Sequence, residues 1–201
     1  MTPTTSQHYS EGGLIDAVAG ETLLYWNFDE TEGSVARDSS YYQWDGVLDN
    51  YNEGTNPKWS SGIFGGALDF ESTDNSYLKL SYNRFLYNVD FDHLTTEFWV
   101  NPESNPDSTR YLFYSQAGPQ QHFYISETSI LHVYFCAKNP VLNQHQCYTI
   151  DTGKEIPVGA WSHIAFVFDS SNSIAKVYVN KEIVAYQELL AGYDTMRSEC
   201  C

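Results

Sequence analysis

The sequence predicts an all-β sandwich, and two observations carry this prediction. First, Trp161–Asp169 and Ile174–Asn180 are rich in β-branched and aromatic residues and flank a polar Ser-Ser-Asn-Ser turn, as in a β-hairpin. In the first segment Ile164, Phe166 and Phe168 share one face, and the other face is also largely apolar. We therefore expect this strand to lie inside a two-layer structure. Second, about a dozen short apolar segments recur along the chain with turn signals between them, which is typical of sandwiches and barrels.

Each of these segments is short, apolar or alternating, and bounded by turn residues. They are Thr22–Phe28, Ala67–Phe70, Tyr77–Leu80, Thr95–Asn101, Arg110–Ser115, Gln121–Ile125, Ile130–Cys136, Cys147–Ile150, the hairpin above and Glu182–Glu188. Before Ala67, the Gly65-Gly66 pair suits a sharp bend or a close approach of backbone. A helix is not expected, although Leu86–Leu94 has room for one turn.

One domain is the economical organisation of the chain. We expect an N-terminal arm or linker at residues 1–20, a β-sandwich at 21–195 and a tail at 196–201. The first twenty residues lack the basic region of a secretory signal.

The charge of the chain restricts its partners. Its 26 acidic and 10 basic residues give a net charge of −16, and the basic residues are scattered. Nucleic acid and anionic surfaces need a basic footprint, so no nucleic-acid partner is expected. No apolar run is long enough for membrane insertion. The acidic surface suits either Ca²⁺ or simple solubility.

Two of the four cysteines bracket a polar loop. Cys136 and Cys147 would face each other if the strands that carry them pair. We predict a disulfide between them, which implies an oxidising compartment; two buried free thiols are the alternative.

Six motifs then occur in order along the chain. They are Leu24-Tyr-Trp-Asn-Phe-Asp-Glu30, Asp38-Ser-Ser40, Gly62-Ile-Phe-Gly-Gly-Ala-Leu-Asp-Phe70, Phe98-Trp-Val-Asn-Pro102, Trp161–Asp169 and Val177-Tyr-Val-Asn180. Over about residues 22–190 this order resembles the laminin G-like domains of the concanavalin A-like lectin/glucanase superfamily. The resemblance implies a jelly-roll sandwich of two antiparallel sheets, one of them concave and often used for binding.

The chain departs from this family pattern near its end. Family members usually continue through one or two more strands, the last of which pairs with the first strand. Here Leu190–Cys201 does not match them. We therefore expect an incomplete sandwich. Either the sequence is a fragment of a longer chain, or a partner chain donates the strand, or residues 1–20 fill its place.

The resemblance also implies a structural Ca²⁺ near the first strand. Asp29 and Asp38 are the candidate ligands, because laminin G-like domains often hold the ion near these segments. Turn formation and capping by aspartate side chains are the alternative.

Ligand binding is assigned to aromatic residues of a polar loop. Tyr41, Tyr42 and Trp44 lack any periodicity that would bury them, so we expect them to stack on sugars or to anchor a protein. Packing within the loop is the alternative. Other aromatic residues fall on central strands and are expected to pack in the core: Tyr111, Tyr114, Phe123, Tyr124 and Tyr134.

Catalysis is not expected. Glucanases of this superfamily place three carboxylates at alternate positions of one strand. Asp69-Phe-Glu71 and Asp90-Phe-Asp92 supply only two each, and the histidines show no metal-ligand spacing.

The sequence thus predicts a non-catalytic recognition module, extracellular or at the cell surface, that binds a neutral glycan or a protein. The alternative is a structural subunit whose sandwich is completed by strand addition from a partner, and a glycoside hydrolase is the third hypothesis.

Overall fold

Antiparallel β-strands make up nearly all of the regular structure. The computed structural model describes residues 21–51, 57–71, 75–80, 90–115 and 119–196. The strands in these ranges are β1 (Val35–Ala36), β2 (Gly46–Asp49), β3 (Lys58–Ser61), β4 (Gly66–Asp69), β5 (Tyr77–Leu80), β6 (His93–Val100), β7 (Arg110–Ser115), β8 (Gln121–Ile125), β9 (Ile130–Asn139), β10 (Gln144–Glu155), β11 (Ser162–Asp169), β12 (Ile174–Val179) and β13 (Glu182–Glu188). The predicted arm at 1–20, residues 197–201 of the predicted tail and residues 86–89 of Leu86–Leu94 lie outside the described residues.

Two four-stranded sheets form the sandwich, which confirms the predicted fold class. Sheet I has the strand order β13-β12-β11-β6, and sheet II has the order β10-β9-β8-β7. Their inner faces meet through large side chains: the ring of Phe166 in sheet I lies 5.1 Å from that of Phe135 and 6.1 Å from that of Phe123 in sheet II. Each such buried side chain contributes about 1.5–3 kcal/mol by leaving water. Two smaller sheets, β1-β2-β5 and β3-β4, stand beside this core and were not expected.

The predicted hairpin forms as expected. Strands β11 and β12 pair antiparallel, and Ile164, Phe166 and Phe168 are all fully buried. The turn is a short 3₁₀ segment, Ser170–Asn172, which is closed because Asn172 N–H donates to the Asp169 side chain. Asp169 therefore supplies the turn with a cap of the kind that short polar side chains favour.

The predicted first strand is wrong in the described structure. Thr22–Phe28 forms a single bridge, between Trp26 and Asp38, and no ladder. Tyr25 N–H donates to the Asp38 carboxylate rather than to a neighbouring strand, and Phe28 has a positive φ of 59° that ends the extended backbone. Local side-chain hydrogen bonding has here displaced strand pairing.

The glycine pair at the start of β4, Gly65-Gly66, marks a close backbone approach, as predicted. A Cβ on Gly66 would overlap the Phe28 carbonyl oxygen, and Gly66 N–H donates to Asp29 Oδ1 over 2.8 Å. Asp29 thereby fixes the position of the β3–β4 hairpin.

At the other end of the described chain, Met196 is fully buried and pairs with Phe91. The packed region therefore reaches residue 196, the first residue of the predicted tail. Among the described residues, no helix has the length and apolar character needed to cross a bilayer.

Candidate functional site

A cluster of six aromatic rings covers the outer face of sheet II. In β8 and β9 the Phe, Leu, Val and Ile side chains at alternate positions point into the core, so the tyrosines and histidines between them point outward. The edge strand β7 adds two tyrosines to this surface. We call it the aromatic platform; its members are Tyr111, Tyr114, His122, Tyr124, His132 and Tyr134.

The first row of the platform crosses three strands. Tyr114 of β7, His122 of β8 and Tyr134 of β9 are successive cross-strand partners. The Tyr114 and His122 rings are stacked with centroids 4.1 Å apart, and the His122 and Tyr134 rings are stacked at 4.9 Å. The three rings of this row are stacked one on the next, and such cross-strand stacking stabilises the pairing of neighbouring strands.

The second row runs parallel to the first. Tyr111, Tyr124 and His132 are cross-strand partners, and Asp151 of β10 follows His132. The Tyr124 and His132 rings are nearly parallel, 8° apart with centroids 5.0 Å apart. At the far end, His132 Nδ1 lies 3.9 Å from Asp151 Oδ1, so an acidic group borders the platform.

Stacking decides which ring surfaces a ligand can reach. The central rings cover one another's faces, so they offer mainly edges and polar atoms. Among the described residues, the two tyrosines on the edge strand have no ring beyond them on one side: Tyr111 is 58% exposed and Tyr114 is 52% exposed. Apolar ring surface for a ligand is therefore concentrated at β7.

Two central members of the platform, His122 and Tyr124, are uncharged near pH 7. Burial lowers the pKa of His122, an effect that its hydrogen bond with the Ser115 backbone partly opposes, so the imidazole is uncharged. Burial, with smaller contributions from Tyr111 and Asp151, raises the pKa of Tyr124. Tyr124 therefore keeps its hydroxyl proton and stays a hydrogen-bond donor.

The predicted disulfide is present and lies beside the platform. Cys136 and Cys147 are direct cross-strand partners in β9 and β10 and are bonded to each other. The Tyr134 hydroxyl lies 3.1 Å from Cys136 Sγ. Because a disulfide sulfur carries no hydrogen, the hydroxyl is the donor in this contact. The bridge thus holds a platform tyrosine in place.

The residues predicted to bind ligand lie together in a different place. Tyr41, Tyr42 and Trp44 follow one another in the loop before β2, and the Tyr42 and Trp44 rings are 4.8 Å apart. Tyr41 is exposed, whereas Tyr42 and Trp44 are half-buried. These three residues share no element with the platform, and their role in binding stays a prediction.

Asp38, predicted to bind calcium, organises this same loop. Its buried carboxylate accepts from Tyr25 N–H, Ser40 N–H, the Ser40 hydroxyl and Trp44 N–H, at distances of 2.6–2.8 Å. A carboxylate has about four acceptor positions. Asp38 therefore has none to spare for a cation.

Asp29, the other predicted calcium ligand, accepts hydrogen bonds from Gly66 N–H and from the Asn27 amide. Calcium prefers six to eight oxygen ligands, and an Asp38 surrounded by donors does not fit that need. The calcium site at Asp29 and Asp38 stays a prediction.

Asp69 and Glu71, which were considered for catalysis, lie close to a third carboxylate, that of Glu103. Carboxylate oxygens of Asp69, Glu71 and Glu103 all lie within 4.8 Å of one another. Glu103 follows β6, far along the sequence from β4, so strand spacing alone did not reveal it. The three residues belong to none of the platform strands. Asp90 and Asp92, the other pair, are exposed and precede β6.

The platform itself was missed by the sequence prediction. Tyr111, Tyr114, Tyr124 and Tyr134 were expected in the core, and this is wrong because they occupy the outward positions of their strands. Phe123 is fully buried, as expected. The alternation of His122 and Tyr124 with Phe123 and Ile125 is the signal that distinguishes the two faces.

Comparison with known proteins places the chain in a family. A sequence profile described as "Concanavalin A-like lectin/glucanases superfamily" matches residues 71–196, more than half of the chain. No curated protein matches the chain.

A solved structure shares the fold at low identity. Domain 4 of AbnA, a GH43 extracellular arabinanase from Geobacillus stearothermophilus in complex with arabinotriose, has a TM-score of 0.55 and 20% identity, over 90% of this chain and 85% of that chain. A putative carbohydrate binding protein from Bacteroides ovatus has a TM-score of 0.39 and 20% identity, over 54% of this chain and 29% of that chain. The match thus spans less than a third of the Bacteroides protein.

Proposed function

The chain belongs to the concanavalin A-like lectin/glucanase superfamily, and on this premise we propose that it is a non-catalytic module that binds neutral carbohydrate on the aromatic platform. The observation that carries the proposal is the exposed ring surface of Tyr111 and Tyr114, on the edge strand of a rigid sheet. Exposed apolar patches on a folded protein often mark binding sites, and tyrosine is enriched among the residues that contribute most to binding.

The chemistry of the platform complements that of a sugar. One side of a pyranose or furanose ring presents C–H groups, which pack on an aromatic face, and its rim presents hydroxyl groups. Tyr111 and Tyr114 supply the apolar surface. The Tyr124 hydroxyl supplies a donor, and the Asp151 carboxylate supplies an acceptor. This mixture of apolar and polar groups is the usual composition of a small-ligand site.

Charge selects a neutral glycan over an acidic one. The six platform residues include neither Lys nor Arg, the net charge of the chain is −16, and Asp151 borders the second row. An acidic sugar would meet repulsion at long range and would find no permanent positive charge on the platform.

We propose an extracellular or cell-surface location. The Cys136–Cys147 disulfide supports this, because such bonds persist in oxidising compartments. The alternative in which a partner chain donates a strand also stays a proposal; it predicts that the protein copurifies with that partner.

The cluster of Asp69, Glu71 and Glu103 is the basis of the alternative hypothesis that the protein is a glycoside hydrolase. Paired carboxylates at short separation are the catalytic groups of many glycosidases. If hydrolysis of a bound oligosaccharide were detected and then lost in Asp69→Asn, the module would be an enzyme. We expect no hydrolysis, because the cluster and the platform belong to different elements.

The experiment that tests the proposal combines a screen with matched variants. Wild-type protein is applied to an array of neutral and acidic glycans, and calorimetry then measures the affinity for the best neutral oligosaccharide. Tyr111→Ala is compared with Tyr186→Ala, because Tyr186 is equally exposed but lies on sheet I.

We expect Tyr111→Ala to weaken binding about tenfold, or ~1.4 kcal/mol, and Tyr186→Ala to leave it unchanged. Equal affinities for both variants, or a preference for acidic glycans, would contradict the proposal.

A further inference from the structure

A second aromatic site lies on the outer face of sheet I. Trp99 of β6 and His163 of β11 are direct cross-strand partners, with ring centroids 5.0 Å apart. The neighbouring residue Phe98 packs inward against Phe123, so Trp99 points away from the core and is 41% exposed. Because sheet II carries the platform on its own outer face, the two aromatic sites are on opposite sides of the sandwich.

A small cavity opens beside Trp99. It has a volume of about 280 Å³ and is lined by Trp99, His163, Asn180 and Lys181. Sites for larger organic ligands measure about 300–1,000 Å³. This cavity therefore suits one sugar ring rather than a long chain.

The turn between β12 and β13 is held against the cavity by Asn180. Asn180 N–H donates to the His163 carbonyl, and His163 N–H donates to Asn180 Oδ1, both over 2.9 Å. With Oδ1 used in this way, the Asn180 amide keeps its Nδ2–H donors for a ligand. The next residue, Lys181, adopts a positive φ of 73° and lines the cavity too.

An acceptor and an aromatic wall complete the surroundings. Glu97 Oε2 lies 3.4 Å from His163 Nε2, on the same outward face of β6 as Trp99. Phe64, at the tip of the β3–β4 hairpin, is 72% exposed and meets Trp99 edge to face at 5.7 Å. An aromatic surface, two donors and one acceptor match the C–H face and the hydroxyl groups of a sugar ring. The negative charge of Glu97 offsets the positive charge of Lys181, so the site does not select an acidic sugar.

We propose that this cavity is a second carbohydrate site, that it binds a single neutral pyranose unit, and that the domain can therefore bridge two glycan chains. The sites are separated by the whole thickness of the sandwich, so one short oligosaccharide cannot occupy both. Two weak sites on opposite faces raise the avidity for a surface that displays many chains. The ligand class of this inference rests on the proposed function, but the residues do not.

The test uses methyl β-D-glucopyranoside, methyl β-D-galactopyranoside and methyl α-D-mannopyranoside as probes, with D-galacturonic acid as the acidic comparison. Two-dimensional NMR follows the indole N–H resonance of Trp99, which is identified by its absence in Trp99→Phe. We expect at least one neutral pyranoside to shift this resonance, in wild type and in Tyr111→Ala alike. Lys181→Ala, a change at an exposed turn, should weaken the response at least threefold.

Absence of a Trp99 shift with all three neutral probes would overturn the inference, and so would a shift with galacturonic acid alone. Failure of the proposed function gives a different result. In that case Tyr111→Ala binds oligosaccharide as tightly as wild type does, whether or not the Trp99 resonance shifts.

Discussion

The rings of Tyr124 and His132 lie face to face across β8 and β9, with their planes only 8° apart. Such stacking between neighbouring strands keeps the side chains in fixed positions before any ligand arrives. A site with fixed side chains loses less conformational entropy on binding than a site of mobile ones. The same contact also covers the central ring faces, which is why we assign ligand contact to Tyr111 and Tyr114 on the edge strand.

Removal of the disulfide should loosen the platform. In Cys136→Ser/Cys147→Ser we expect the free energy of unfolding to fall by about 2–3 kcal/mol, because the bridge restricts the unfolded chain. Carbohydrate affinity should fall as well, because Tyr134 loses the sulfur contact that positions it. Urea unfolding measures the first effect and calorimetry the second. A reductant should reproduce the loss in wild type and have no effect on the double variant.

Asp38 should be the main stabiliser of the loop that carries Tyr41, Tyr42 and Trp44. Asp38→Ala removes the acceptor for four hydrogen bonds and leaves three partly buried backbone N–H groups without that partner. We expect a loss of about 2–4 kcal/mol in urea unfolding. Asp107→Ala is the control, since that side chain is 91% exposed and its ion pair with Arg110 is long at 3.7 Å. A similar small loss in both variants would contradict this role.

The effect of calcium on stability distinguishes the two interpretations of Asp29 and Asp38, as calcium ligands or as side chains that form and cap turns. If these residues hold a structural ion, calcium should raise the Tm of chelator-treated protein and Asp29→Asn should abolish the rise. The four donors around Asp38 favour the opposite result, a Tm that calcium leaves unchanged. Thermal unfolding with calcium or with EDTA decides between them.

Gly66 should tolerate no side chain. In Gly66→Ala the added Cβ meets the Phe28 carbonyl, so the β3–β4 hairpin has to move, and we expect a loss of at least about 2 kcal/mol. Gly153→Ala is the comparison: its φ of 59° costs about 1 kcal/mol for alanine, but nothing lies within 4 Å of the new atom. A loss in Gly66→Ala no larger than that in Gly153→Ala, measured by urea unfolding, would contradict the close backbone approach at Gly66.

Acid should weaken the platform through His122. Its pKa is lowered by burial from the ordinary value of 6.5, so as the pH falls below that value the unfolded chain takes up a proton before the folded protein does. This histidine therefore lowers the free energy of unfolding as the pH falls from 6.5 towards the folded pKa, and has no such effect above 6.5.

The variant His122→Phe keeps a stacked ring but removes the titration. We expect it to lose less stability than wild type between about pH 7 and about pH 5, measured by urea unfolding at each pH. Parallel pH profiles for the two proteins would refute a role for His122.

The fold was largely predictable because its signals are local. The alternation in Trp161–Asp169 defined a core strand and its inward face, and the placement of Cys136 and Cys147 at loop ends defined their pairing. Thr22–Phe28 has an equally good strand pattern, but the prediction failed because the distant Asp38 captures its backbone N–H. A hydrogen bond of that kind depends on tertiary placement, which the pattern of one segment does not contain.

The site was harder to predict than the fold. Burial of aromatic residues is the general rule for central strands, and that rule holds for Phe123 and Phe135. It fails for Tyr124 and Tyr134, because the face of each residue follows from its parity relative to its neighbours rather than from its hydrophobicity. The cavity beside Trp99 could not be predicted from the sequence, because its lining residues come from β6, from β11 and from the turn at Asn180, about eighty residues after Trp99.

The most direct test of the central claim is to locate a bound oligosaccharide by intermolecular nuclear Overhauser effects. Our account predicts contacts from sugar C–H protons to the rings of Tyr111 and Tyr114, with weaker contacts to the edge of Tyr124. Contacts confined to Tyr41, Tyr42 and Trp44 would contradict it, and would assign carbohydrate binding to the loop before β2.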